Sequence, residues 1–313
     1  MNKFWRLGMA TKTDKKIVET VAVAVIAAIV VISAAVIVAH YSSQSSGQET
    51  QAINLITSAE NYFSQASLCL NENDFVGTRT KLAVVESNVT DAKNLLAGIE
   101  SSTKQYCLDI CDFYSNCSST MDVLSYGCEH LNQALARIND NDWSGAVSKL
   151  LDAEDELTQA QSYFLLAGGN LNSIDMTALS LELKNSVTEA QALFDEYKTL
   201  LPDLASAVDA LVPVARGCDH LFEGLNYVLR YDWHAAKVAF EDSLPYVSES
   251  ENKFDNLRYC KTSYVSSLAS EMFAKLVPME SALPHLIQGC GYAEAGDMSS
   301  ANSEFDTANN ILK

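Results

Sequence analysis

The pattern of apolar and polar positions divides the chain in two. Thr20–Ala39 reads TVAVAVIAAIVVISAAVIVA, twenty residues without a charge. At 1.5 Å per residue this covers ~30 Å, the hydrocarbon thickness of a bilayer. No ordinary strand is so long. A lone segment in lipid must satisfy its own backbone hydrogen bonds, so a transmembrane helix is expected over 17–39. From residue 49 onward the pattern changes. Apolar residues recur at spacings of three and four, no alternation of period two is sustained, and no proline precedes Pro202. Helices are expected near 49–71, 75–99, 102–114, 119–139, 143–167, 174–200, 203–230, 233–275 with a break near Pro245, 279–294 and 298–312. Gly168-Gly169-Asn170 is the clearest interior break, and it sets the expected division into helical halves 49–167 and 168–313.

Lys3, Arg6, Lys12, Lys15 and Lys16 all precede the apolar run, and no Lys or Arg follows it until Arg79. The positive-inside rule then places residues 1–16 in the cytoplasm and everything after His40 outside the cell membrane. A cleaved secretory signal would carry a shorter apolar core of ~7–15 residues and a small-residue cleavage site. Here a longer core runs into His40-Tyr41. Lys15-Lys16-Ile17-Val18-Glu19 resembles the start of type IV pilins, where a basic leader precedes an apolar helix with an early Glu. The Glu stands at a different offset from the basic pair. Residues 40–48, rich in Ser and Gln, read as a short flexible linker.

The outer part repeats itself. Four segments align without a gap: Asn61–Phe75, Glu129–Trp143, Asp219–Trp233 and Pro284–Met298. Each ends in an Asp followed by a large apolar residue. The anchors Asp74, Asp142, Asp232 and Asp297 lie 68, 90 and 65 residues apart and mark expected turns, each capping the helix that follows. These units resemble the tetratricopeptide repeat. In the fourth, Gly289, Tyr292, Gly296, Ala301, Phe305 and Ala308 fall at that family's small, aromatic, turn, small, aromatic and small positions. The third offers Gly224, Tyr227, Ala236 and Phe240, the second Ala134, Ala146, Leu150 and Ala153, and the first Ala66 and Leu82 with Thr78 at an Ala position. The family's Leu is replaced by Gln133, Glu223 or Gln288, and the spacing is about twice the ~34-residue family period. The resemblance implies an all-α array of antiparallel helical hairpins, an irregular solenoid or bundle, in which small residues let helices approach and an aromatic fills the gap beside them.

Composition narrows the function classes. With 313 residues, 48% hydrophobic and 19% charged, the chain can bury a core, which excludes wholesale disorder. A net charge of −19 argues against nucleic acid as a partner. The charge is uneven: residues 1–40 hold five bases and two acids, and the remainder 16 bases and 38 acids.

Eight cysteines on the outer side suggest disulfides. Cys107 and Cys128 are equidistant from an expected turn over 115–119, Cys111 and Cys117 would close its tip, and Cys260 and Cys290 flank an expected break near Pro278. Cys69 and Cys218 have no assigned partner. Gly-Cys-Glu-His-Leu at 127–131 and Gly-Cys-Asp-His-Leu at 217–221 contain ligand types. Residues two apart on a helix point in different directions, so repeat ancestry is the better reading and no metal or other cofactor is expected. No nucleophile, haem or phosphate-binding motif occurs, and no catalytic residue is assigned. Asn88-Val-Thr and Asn116-Cys-Ser are glycosylation sequons.

The expected function is a single-pass membrane protein, not an enzyme, whose external helical repeats bind or scaffold other proteins, their acidic surface favouring basic segments. The alternative is a self-associating subunit of a cell-surface filament or layer. An extracytoplasmic enzyme or solute receptor ranks third.

Overall fold

The computed structural model describes residues 47–100, 103–179 and 181–313. The expected membrane anchor, the basic tail before it and most of the linker lie outside these residues. No helix among the described residues is long and apolar enough to cross a membrane.

The described chain is all-α, without strands. Its order is α1 (Gly47–Asn71), α2 (Phe75–Ala97), α3 (Lys104–Asn139), α4 (Trp143–Ser173), a 3-10 turn (Met176–Ala178), α5 (Leu181–Tyr197), α6 (Leu200–Leu229), α7 (Trp233–Leu257), α8 (Ser263–Glu294) and α9 (Met298–Ile311).

The four anchor aspartates sit at four copies of one turn. In each, the residue before the Asp is left-handed: Asn73 at φ 61°, Asn141 at 58°, Tyr231 at 59° and Gly296 at 83°. Its N–H reaches back three residues, and the Asp N–H reaches back five, as in Asp74 to Cys69 O at 2.8 Å and Asp297 to Tyr292 O at 2.9 Å. This is the Schellman closure, which satisfies the last carbonyls of the outgoing helix. The same Asp then begins the next helix. Its Oδ1 accepts from the backbone N–H of Gly77 at 2.8 Å, Gly145 at 3.0 Å, Ala235 at 3.2 Å and Ser300 at 3.1 Å. One residue thus serves two helix ends, and the chain reverses in three residues. The small positions pack as the repeat pattern requires: Ala66, Thr78, Ala134, Ala146, Ala236 and Ala301 are fully buried.

Elsewhere the structure corrects the reading of the sequence. The turn expected over 115–119 is absent, because α3 is continuous from Lys104 to Asn139. Its polar residues find partners on other helices: Ser115 Oγ donates to Glu86 on α2 at 3.0 Å, and Asn116 Nδ2 to Asn170 on α4 at 2.6 Å. Helix α4 runs through Gly168-Gly169-Asn170. The break expected near Pro245 falls instead at 258–262, and α8 passes through Pro278 and Pro284. Pro245 and Pro284 are exposed, so their rings lie on the solvent side of α7 and α8.

The expected disulfides fall with those breaks. Cys107 and Cys128 lie 21 residues apart on α3, ~31 Å along the axis. Cys111 and Cys117 are six residues apart on the same helix, ~9 Å, beyond bridging reach. Cys260 precedes α8, and Cys290 lies 27 residues beyond the start of that helix, ~40 Å away. All eight cysteines are free.

Two compact units are present. One comprises 47–129 and 155–202. Its core joins rings from α1, α3, α4 and α5: Phe63 to Tyr114 at 6.3 Å, Phe113 to Phe194 at 5.6 Å, and Phe164 stacked on Phe194 at 4.5 Å. The other comprises 130–154 and 203–313. There Ser243 Oγ donates to Gly217 O and Ser250 Oγ to Ala210 O, both at 2.8 Å, tying α7 to α6 through small buried residues. Helix α8 packs against both α7 and α9.

Candidate binding pocket

Within the second unit the repeat pattern builds a pocket. A Cβ on Gly224 of α6 would lie 2.5 Å from the Phe240 ring, and one on Gly289 of α8 would lie 2.6 Å from the Phe305 ring. Without a Cβ at either place, each ring lies across the partner helix of its hairpin. Phe240 and Phe305 occupy equivalent repeat positions, and both line one cleft of about 550 Å³. That volume suits a ligand site. Phe222, Leu225, Val228 and Leu229 of α6 line it together with Leu286 of α8 and Leu312, which follows α9. Trp233, the residue after the third anchor Asp, stacks on Phe305 at 6.1 Å and supports that wall from behind.

The polar lining is sparse. Asn226, Asn302 and Asp306 are exposed, and Asn309 is half-buried. The Oδ1 of Asn309 is shielded from water and accepts no hydrogen bond. The lining contains no hydroxyl, thiol, imidazole or amine. It offers apolar area, amide groups and one carboxylate.

The cysteines and sequons stand apart from this pocket. Burial pushes the thiols of Cys107, Cys111, Cys128, Cys218 and Cys290 up to about 12, so they stay protonated. In the first Cys-acid-His stretch Glu129 pairs with Arg79 at 2.9 Å, and in the second His220 stacks on Tyr246 at 5.7 Å. No group of three or more His, Cys, Asp or Glu side chains placed to hold a metal ion occurs among the described residues. The sequon residues Asn88 and Asn116 lie inside helices, with Asn88 Nδ2 donating to Ser58 Oγ at 3.0 Å and Asn116 Nδ2 to Asn170.

A second titratable feature joins α7 to α8. The Glu251 carboxyl, hydrogen-bonded to Glu280 and partly desolvated, is pushed up to about 7, while Glu280 is held below its ordinary value by that bond and by Ser248 Oγ, which donates to it. Glu251 Oε2 is buried and receives no hydrogen bond. A proton held by Glu251 and offered to Glu280 satisfies both groups.

Among the pocket residues, the repeat pattern singles out Phe240, Phe305 and Ala308. It also marks Leu286, which aligns with Phe63, Leu131 and Leu221 in the other three segments, but gives no sign of Asn302, Asp306 or Asn309, because facing across two hairpins leaves no mark on local spacing. No family model, curated protein or solved structure matches the chain.

Proposed function

We propose that this protein is a single-pass membrane protein whose helical hairpins, held outside the membrane, bind and position partner proteins. The single observation that carries the binding role is the open apolar cleft built from equivalent residues of two successive hairpins. Repeated hairpins that stack through small residues present extended surfaces suited to partner recognition. The hairpins are read as degenerate relatives of the tetratricopeptide repeat, supported by four identical Asp turns and by buried small residues at the matching positions. Their placement outside rests on the five bases before Thr20 and none between Ala39 and Arg79. Free cysteines remove disulfides as an argument for that placement.

The test is chemical crosslinking in intact cells, followed by solubilisation and identification of what co-purifies. Heterologous proteins recovered in stoichiometric amounts are expected. Recovery of this chain alone would favour the filament subunit instead. Protease added to intact cells should remove the helical part, and its survival until the membrane is broken would overturn the orientation.

A further inference from the structure

The cleft carries a shape, a charge and a rim that select an occupant. It lies open between α6 and α9, and its apolar walls are half-buried or exposed except at Phe240 and Ala308, which are buried. Leu229, at its edge, is 64% exposed. Asp306 carries a negative charge on the lining and makes no ion pair with a described residue. The flanking segments 219–232 and 294–313 hold seven acids against Arg230 and Lys313. Two residues beyond Leu229, Tyr231 holds a left-handed φ of 59° and is 77% exposed. The sister turns use Asn or Gly at this position, residues that adopt such a backbone at lower cost. The ring of Tyr231 packs against Trp233 at 5.8 Å, and Trp233 packs in turn on Phe305. Tyr231 thus adds an exposed aromatic ring to the apolar surface that continues from Leu229.

We propose that this cleft seats the apolar face of a basic amphipathic helix from another protein. Large side chains one and two turns apart enter between Phe240 and Phe305, and a Lys or Arg beside them meets Asp306. An acidic segment would meet repulsion from Asp306 and its surroundings. A small apolar molecule would leave Leu229 and Tyr231 in water. This inference rests on the protein-binding role proposed above and names the chemistry of the partner.

The experiment uses the full chain in zwitterionic nanodiscs, with empty nanodiscs measuring lipid partitioning. The probe is a fluorescein-labelled Leu/Lys helical peptide of about five turns, compared with a Leu/Glu peptide of the same pattern. The Leu/Lys peptide is expected to bind saturably and at least ~10-fold more tightly than the Leu/Glu peptide, with affinity falling as salt rises. Asn302→Trp, which fills the mouth from an exposed position, should weaken binding ~10-fold, and Asp306→Lys should reverse the preference between peptides. Leu229→Asp changes a residue already in water and serves if Asn302→Trp lowers the melting temperature. Equal binding of the two peptides overturns the proposal, as does unchanged binding by both mouth variants. If peptide binding fails while heterologous partners still co-purify, this site is wrong and the protein-binding role stands. If only copies of this chain co-purify, that broader role falls, whatever the peptide does.

Discussion

Tyr231 and Glu251 each hold a state that their local chemistry disfavours. A left-handed backbone costs a non-glycine residue ~1–2 kcal/mol, and Asn tolerates it better than Tyr. Asn already fills this place in two sister turns, at Asn73 and Asn141. Tyr231→Asn is therefore expected to raise stability by about 0.5–1 kcal/mol in denaturant titration, less whatever the contact with Trp233 contributes. If Tyr231 serves the cleft, the same variant weakens peptide binding while it stabilises the fold. Glu251 imposes a pH dependence of definite sign. Its folded-state value of about 7 stands above the ordinary 4.5, so the folded state binds the extra proton between those limits. Its contribution to stability is complete below about 4.5 and is lost as pH rises through about 7. Glu280, shifted downward, acts in the opposite sense below its ordinary 4.5 and leaves the upper window to Glu251. The melting temperature should drop between pH 5 and 7.5 more steeply in the wild type than in Glu251→Gln. Parallel curves would show that the pair shares no proton.

At the scale of the element, the hairpin crossings are set by what two glycines lack. Phe240 is fully buried, so pushing its ring aside for a Cβ on Gly224 disturbs the packing around it. Gly224→Ala should cost ~1–3 kcal/mol through overpacking, despite the ~1 kcal/mol by which Ala favours a helix. Phe305 is only half-buried and can move, so Gly289→Ala should cost less. Equal melting temperatures for the two variants would mean that the rings do not limit the approach. The turns were legible in the sequence because Asp before a large apolar residue is a local signal with a local cause. The cleft was legible in Phe240, Phe305, Ala308 and Leu286, the lining residues that the repeat pattern marks. Its other walls, like the continuity of α3 and α8, depend on partners distant in sequence. Ser115 and Asn116 would favour a turn in isolation, yet α2 and α4 supply their hydrogen bonds. Pro245, Pro278 and Pro284 would end an isolated helix, yet α7 and α8 are held along their length by neighbours.

Across the whole molecule, the cysteines behave as core residues. Cys107, Cys111, Cys117, Cys128, Cys218 and Cys290 are buried, whereas Cys69 and Cys260 are partly exposed. Maleimide should label the latter two in the native protein and the rest only in denaturant, and peptide mass mapping without reductant should find no Cys107–Cys128 or Cys260–Cys290 bridge. A bridge at either pair would require α3 or α8 to break. The compact units are also discontinuous in sequence: residues 130–154 belong with 203–313, while 155–202 belong with 47–129. Cutting the chain at 167 therefore separates 47–129 from part of its core, including Phe194, and releases no intact unit.

The shared aspartates have a consequence for the order in which the protein forms. A helix ordinarily begins against an unfavourable nucleation step, with its first N–H groups unpaired. Here the residue that closes one helix already binds one N–H of the next helix's first turn, so the second arm starts from a seeded end. All the required contacts lie within a few residues of Asp74, Asp142, Asp232 and Asp297. During synthesis each pair of arms can zip outward from its own bend as soon as that stretch emerges. Assembly of the units then waits on segments that emerge later, because 130–154 cannot complete its unit before 203–313 exists.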